Sequence, residues 1–186
     1  MREPAKRQVT MHQLITTEIP LPEPGALLRF VQQAVDHWPR LLAIQFTHHS
    51  GKGNIHKQQI NAFLETVYHG VQDHVIQRCH ETQPSPQVLL RWLWKKQGGT
   101  AVRCLLMMDQ SLFCHARDEH CSGEGYTQLA GLLQGVWGAV FGEGQCETDC
   151  CFQVERTVTP AGDCRYKELK MAALSFILPV VAGIPR

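Results

Sequence analysis

Residues 88–108 read Val88-Leu89-Leu90-Arg91-Trp92-Leu93-Trp94-Lys95-Lys96-Gln97-Gly98-Gly99-Thr100-Ala101-Val102-Arg103-Cys104-Leu105-Leu106-Met107-Met108. Over the first half of this stretch the side chains alternate. Val88, Leu90, Trp92 and Trp94 take one face, and Leu89, Arg91, Leu93 and Lys95 take the other, which is the two-residue period of a strand. Gln97-Gly98-Gly99 supplies a turn, because glycine accepts positive φ. Ala101 to Met108 is then a return strand, and the pair is a hairpin. Sharing a face with Val88 and Leu90 assigns both tryptophans to the core.

Upstream, Leu41-Leu42-Ala43-Ile44-Gln45-Phe46 is a short apolar run ahead of the loop Ser50-Gly51-Lys52-Gly53, and it reads as a buried strand. Before it, Leu27, Leu28, Val31 and Val35 recur at helical spacing from Glu23-Pro24-Gly25 until Pro39 stops the helix at Trp38. Residues 56–82 carry a second helix, with Ile60, Phe63, Leu64, Val67, Val71 and Val75 on one face, ended by Gln83-Pro84-Ser85-Pro86. Downstream, residues 110–124 read as an irregular loop. Tyr126 to Val140 reads as a third helix broken by Gly142-Glu143-Gly144, Phe152 to Val158 as a fourth strand, and Arg165 to Leu178 as a last helix closed by Pro179. Residues 1–23 are polar and run into Pro20, Pro22 and Pro24, so they read as an N-terminal arm before a single domain over 24–186. The order α, β, α, hairpin, α, β, α predicts an α+β fold: an antiparallel sheet with helices packed against a face.

With 186 residues, 44% of them hydrophobic, the chain has enough material for one core without staples. The net charge of +1 argues against a basic nucleic-acid coat and leaves room for a local basic strip. No long apolar stretch reads as a signal peptide or a membrane span, which predicts a cytoplasmic protein without a membrane partner. In that compartment the eight cysteines are expected to be mostly reduced.

Four segments carry a resemblance: Trp38-Pro39-Arg40-Leu41-Leu42-Ala43-Ile44 after an amphipathic helix, Leu90-Arg91-Trp92-Leu93-Trp94, Cys104-Leu105-Leu106-Met107-Met108-Asp109, and Leu174-Ser175-Phe176. In order and separation they resemble the inovirus replication-protein family, also represented by the prophage YagK/YfjJ domains, over about residues 27–182. That family is similar to the HUH class of single-strand endonucleases. The resemblance therefore implies a Rep-like palm in which two histidines one residue apart on a strand hold a divalent metal, and a tyrosine with a lysine one turn on attacks the phosphate. Residue by residue, the histidine positions become Ala101, which has no donor atom, and Arg103, a permanent cation. The tyrosine position becomes Phe176, and the lysine position becomes Pro179. The resemblance thus implies a domain that has lost strand cleavage.

Other constellations compete for a role. His48-His49 are adjacent on a strand, so they face opposite sides and fit a polar strand end better than one metal. Cys114, His115, His120 and Cys121 can offer zinc four N or S donors, with Cys146, Cys150 or Cys151 nearby in sequence, but no clean Cys-x2-Cys pair exists and a surface loop with reduced thiols is the preferred reading. Cys146, Cys150, Cys151 and Cys164 flank the last strand, where burial as small hydrophobes competes with a redox role. Asp109, Asp118 and Glu119 offer oxygen ligands for Mg²⁺ at no particular spacing. Arg91, Lys95, Lys96 and Arg103 gather on the hairpin and are the expected contacts to nucleic-acid phosphates. The expectation is a catalytically inactive initiator-like domain that binds single-stranded or hairpin DNA in replication control, with no cofactor beyond the zinc alternative. The competing expectation is an interaction or inhibitory module for a host or phage protein. An enzyme with displaced catalytic residues at His48, His49 or the acidic loop is the third.

Overall fold

The computed structural model describes residues 14–17, 23–51, 53–78, 87–114, 123–156 and 164–177. Its elements are β1 (Leu14–Thr17), α1 (Pro24–His37), β2 (Arg40–Ser50), α2 (Lys57–Arg78), β3 (Leu90–Gln97), β4 (Ala101–Asp109), α3 (Gly123–Phe141), β5 (Gly144–Glu155) and α4 (Cys164–Leu174), with a 3₁₀ turn at Gln110–Leu112. The fold is α+β. The strands form one sheet in the order β1-β3-β4-β2-β5.

The expected hairpin forms, with Leu90 opposite Met108 and Gln97 opposite Ala101. Gly98 takes the positive φ of 68° that its turn needs. β2 pairs antiparallel with β4 on one side and with β5 on the other. Strands β2 to β5 are therefore antiparallel throughout. β1 is a departure from the expected all-antiparallel sheet: residues 14–17, read as part of the arm, pair parallel to β3 at the sheet's edge. Four residues between prolines carry too short a pattern to announce a strand, and the pairing comes from the neighbouring strand.

Helices cover both faces, which corrects the expectation of one covered face. α2 and α3 bury Ile60, Phe63, Leu64, Val67, Leu129, Leu133 and Trp137 against Leu42, Ile44, Phe46, Trp92, Cys104 and Leu106. On the opposite face α1 and α4 bury Leu27, Val31, Ala34, Tyr166 and Leu169 against Leu41, Ala43, Leu93, Leu105 and Met107. Tyr166 of α4 also donates a hydrogen bond to Gln32 of α1. The apolar run Leu41-Leu42-Ala43-Ile44 of β2 is the pattern of a strand buried on two sides. Trp92 is in the core as expected, and Trp94 packs at its border.

Two strands are longer than the sequence pattern predicts. β2 runs on to Ser50, and β5 starts at Gly144 where a loop was expected up to Cys151. The first half of β5 is polar because it lies at the sheet's margin, and a register shift between Gln45 and Phe46 of β2 disrupts its alternation. The segment read as a late helix ends at Leu174, and Phe176 sits in the turn beyond it, its N–H bonded to Ala173 O at 3.1 Å.

The start of β5 is held close to its neighbours. A Cβ on Gly144 would overlap the backbone oxygen of His49 and lie 2.6 Å from Trp137 Nε1. Gly144→Ala is expected to cost about 1–3 kcal/mol through overpacking, read from the urea midpoint. An unchanged midpoint would mean that β5 and α3 can separate without loss.

Candidate functional site

At one end of the α1/α4 face the sheet turns polar. The register shift leaves Asp149 of β5 out of the ladder, since Gln45 pairs with Cys150 and Phe46 with Thr148. Its carboxylate turns onto the sheet: Oδ2 accepts from Gln45 Nε2 and from Thr47 Oγ1, both at 3.1 Å. Gln45 and Thr47 are only 3% and 8% exposed, so these bonds satisfy groups that water hardly reaches. The Gln45 Oε1 atom has no partner among the described residues. Arg103, opposite Thr47 on β4, places Nε 3.8 Å from the same Asp149 oxygen, with its side chain 21% exposed. The turn after α4 lays the Phe176 ring 5.5 Å from the Arg103 Cζ, within cation–π range. Lys95 of β3 stands directly opposite Arg103 and is exposed.

The four hairpin cations are thus not one patch. Lys95 and Arg103 are neighbours on one face. Lys96 is one residue on and faces the other side. Arg91 is drawn under α1, its guanidinium 5.6 Å from the Phe30 ring and 5.7 Å from the Trp38 ring, with a long bond from Nη1 to Phe30 O. Burial lowers its pKa from the ordinary value. Of the four positions implied by the resemblance, Arg103 and Phe176 meet, and Ala101 lies two residues from Arg103 on the same face, opposite Gln97 and His49. Pro179 falls outside the described residues. Residues Ala101 and Arg103 do not fit a metal: one has no donor atom and the other is a cation. Gln45, Thr47 and Asp149 were not singled out in the sequence, because a glutamine and a threonine inside an apolar strand and one acid in a cysteine-rich stretch carry no motif.

On the other face, His48 is fully buried. Its ring stacks on Trp137 at 4.0 Å and 7°, and it meets Phe46 and Phe63 edge-on. Cys146 Sγ lies 3.7 Å from Nε2, while Nδ1 has no partner among the described residues. Burial, aided by the neighbouring His49, holds the His48 pKa down at about 3. Burial and the nearby Asp149 and Glu147 push the Cys146 thiol up to about 12, so this pair is neutral and the sulfur is no nucleophile. His48 and His49 lie on opposite faces, as their adjacency requires.

Cys114 is disulfide-bonded, which departs from the expectation of a reduced thiol there. His115, His120, Cys121, Asp118 and Glu119 lie outside the described residues. Cys104, Cys146, Cys150, Cys151 and Cys164 are free thiols. The Asp109 carboxylate accepts from Ser111 N at 2.8 Å and caps the 3₁₀ turn. Among the described residues no group of three or more His, Cys, Asp or Glu side chains is placed to hold a metal, and no helix is long and apolar enough to cross a membrane.

The chain belongs to the family described as Uncharacterised conserved protein UCP030791, whose model matches residues 14–153. That span takes in Gln45, Thr47, Lys95, Arg103 and Asp149 and ends before Phe176. No curated protein and no solved structure matches the chain.

His48 sets an acid limb on stability. The unfolded imidazole takes a proton near its ordinary value of 6.5 and the folded one only near 3. Stability is therefore full above about pH 6.5 and falls as the pH drops toward 3, by at most about 1.4 kcal/mol per pH unit from this group. Urea unfolding across this range is expected to show that slope, and His48→Leu to remove it. An equal slope in both proteins would assign the limb to other groups.

Proposed function

We propose that this chain is a replication-initiator-like domain of a phage or mobile element, built on a Rep-like palm, that no longer cleaves DNA and binds single-stranded or hairpin DNA in replication control. The observation that carries this reading is the meeting of Arg103 and Phe176 on the α1/α4 face. The resemblance assigns these two positions, far apart in sequence, to the metal-binding strand and the nucleophile, which must face each other for the family's reaction. Their side chains lack its chemistry. A phenyl ring has no oxygen to attack phosphorus, and alanine and arginine supply no metal ligand. What remains is a ring and two cations, Arg103 and Lys95, beside a polar sheet end. That combination suits a nucleic-acid backbone: cations meet phosphates and a ring can border a base.

A second reading, a module that binds a host or phage protein, is favoured by one observation. Arg91 is withdrawn beneath α1, which leaves fewer cations for phosphates on a chain whose net charge is +1.

Fluorescence anisotropy with labelled hairpin and single-stranded DNA at low salt is expected to show binding that weakens as salt rises. Lys95→Gln is expected to weaken it on all sequences and to lower the salt slope by roughly one. No nicked product is expected with or without Mn²⁺. Undetectable binding at low salt would end the DNA reading. A stable protein partner of defined identity, recovered free of nucleic acid and competing with nothing in the DNA panel, would support the second.

A further inference from the structure

We propose that Arg103 is a resident cation for a phosphate group, aimed by Asp149, and that binding at this site needs no divalent metal. The inference rests on the DNA reading above and adds which charge meets the phosphate and which residue positions it.

Three constraints act on the Arg103 guanidinium. Asp149 Oδ2 lies 3.8 Å from Nε and engages that edge. Phe176 lies 5.5 Å from Cζ. The backbone position opposite Thr47 sets where the side chain leaves the sheet. The Arg103 side chain keeps 21% of its surface exposed, so part of it is open to solvent. A guanidinium held in this way keeps its outer fork for two oxygens of one phosphate, the bidentate geometry that arginine favours. Lys95 of β3, opposite Arg103 and exposed, supplies a second positive charge.

Asp149 is itself fixed. It stands out of the strand ladder, and two buried neutral groups, the Gln45 amide and the Thr47 hydroxyl, donate to the same oxygen that faces Arg103. If the carboxylate served only to neutralise Arg103, removing its charge would strengthen the hold on an anion. If it aims Arg103, removing its charge would weaken that hold although the site becomes more positive. The two roles thus differ in sign. The metal implied by the resemblance does not fit here, since the same strand position already carries a fixed cation. A pre-placed guanidinium also avoids ordering a long side chain during binding.

The test titrates the folded full-length chain with inorganic phosphate, followed by the nitrogen and proton signals of the Arg103 Nε–H group. In parallel it titrates a labelled 12-residue oligonucleotide in EDTA and in Mn²⁺. Affinity is expected to be the same in EDTA and Mn²⁺. Arg103→Gln is expected to weaken oligonucleotide binding about tenfold or more, and Asp149→Asn about three- to tenfold. Should either variant fail to fold, Arg103→Lys keeps the charge and loses the fork, and it is expected to bind several-fold more weakly. Unchanged or tighter binding by Asp149→Asn overturns the positioning role. Dependence on Mn²⁺, or indifference to every change at Arg103, overturns the resident cation. If phosphate moves the Arg103 signals while the oligonucleotide does not bind, the DNA reading fails and the anion site stands. If the oligonucleotide binds equally to all variants, the DNA reading stands and this inference fails. If neither ligand binds, both fail.

Discussion

β2 lies between β4 and β5 with helices over both of its faces, and this double covering constrains everything near it. Leu41, Ala43, Leu42, Ile44 and Phe46 answer it by being apolar in both directions. A polar side chain in such a strand must find a partner inside the protein or lose hydrogen bonds it had in water. Gln45, Thr47 and His48 are the exceptions, and each is answered differently. Gln45 and Thr47 donate to Asp149, whereas His48 stays neutral within a shell of aromatic rings.

The bulge in β5 follows from that demand. A regular strand would place alternate residues on alternate faces, and it would not leave an extra carboxylate opposite Gln45 and Thr47. Displacing Asp149 from the ladder gives both residues an acceptor and gives Arg103 a counter-charge in one step. The polar end of the sheet is thus a small connected group of hydrogen bonds and one ion pair. It lies where the turn after α4 can reach it with Phe176. In the reading proposed above, a place that serves metal-assisted chemistry in the enzymes the sequence resembles carries instead a charge that belongs to the polypeptide.

Much of the fold was legible in the residues. The alternation of Leu90, Trp92 and Trp94 announced β3 and its buried face. Gly98 announced the turn, Pro39 the end of α1, and the stripe from Ile60 to Val75 the face of α2. Arg103 is legible as one of the hairpin cations, whereas Phe176 stands out only through the resemblance, since a phenylalanine near a helix end has no local chemistry that marks a site. Arg91 was grouped with the other hairpin cations because strand alternation gives a face and says nothing of what covers it. Phe30 of α1 and Trp38 just beyond that helix cover it, both distant from Arg91 in sequence.

The sequence by itself determined the element types, the hairpin, the α+β class and the core assignment of Trp92, because these depend on periodicity and turn chemistry within a few neighbouring residues. Tertiary structure alone decided that both faces of the sheet are covered, that Leu14–Thr17 joins β3 in parallel, and that β5 begins at Gly144. It alone brought Gln45, Thr47, Arg103, Asp149 and Phe176 together. Strand pairing, register shifts and the docking of a distant turn are relations between segments, and no local pattern of side chains encodes the distance between them.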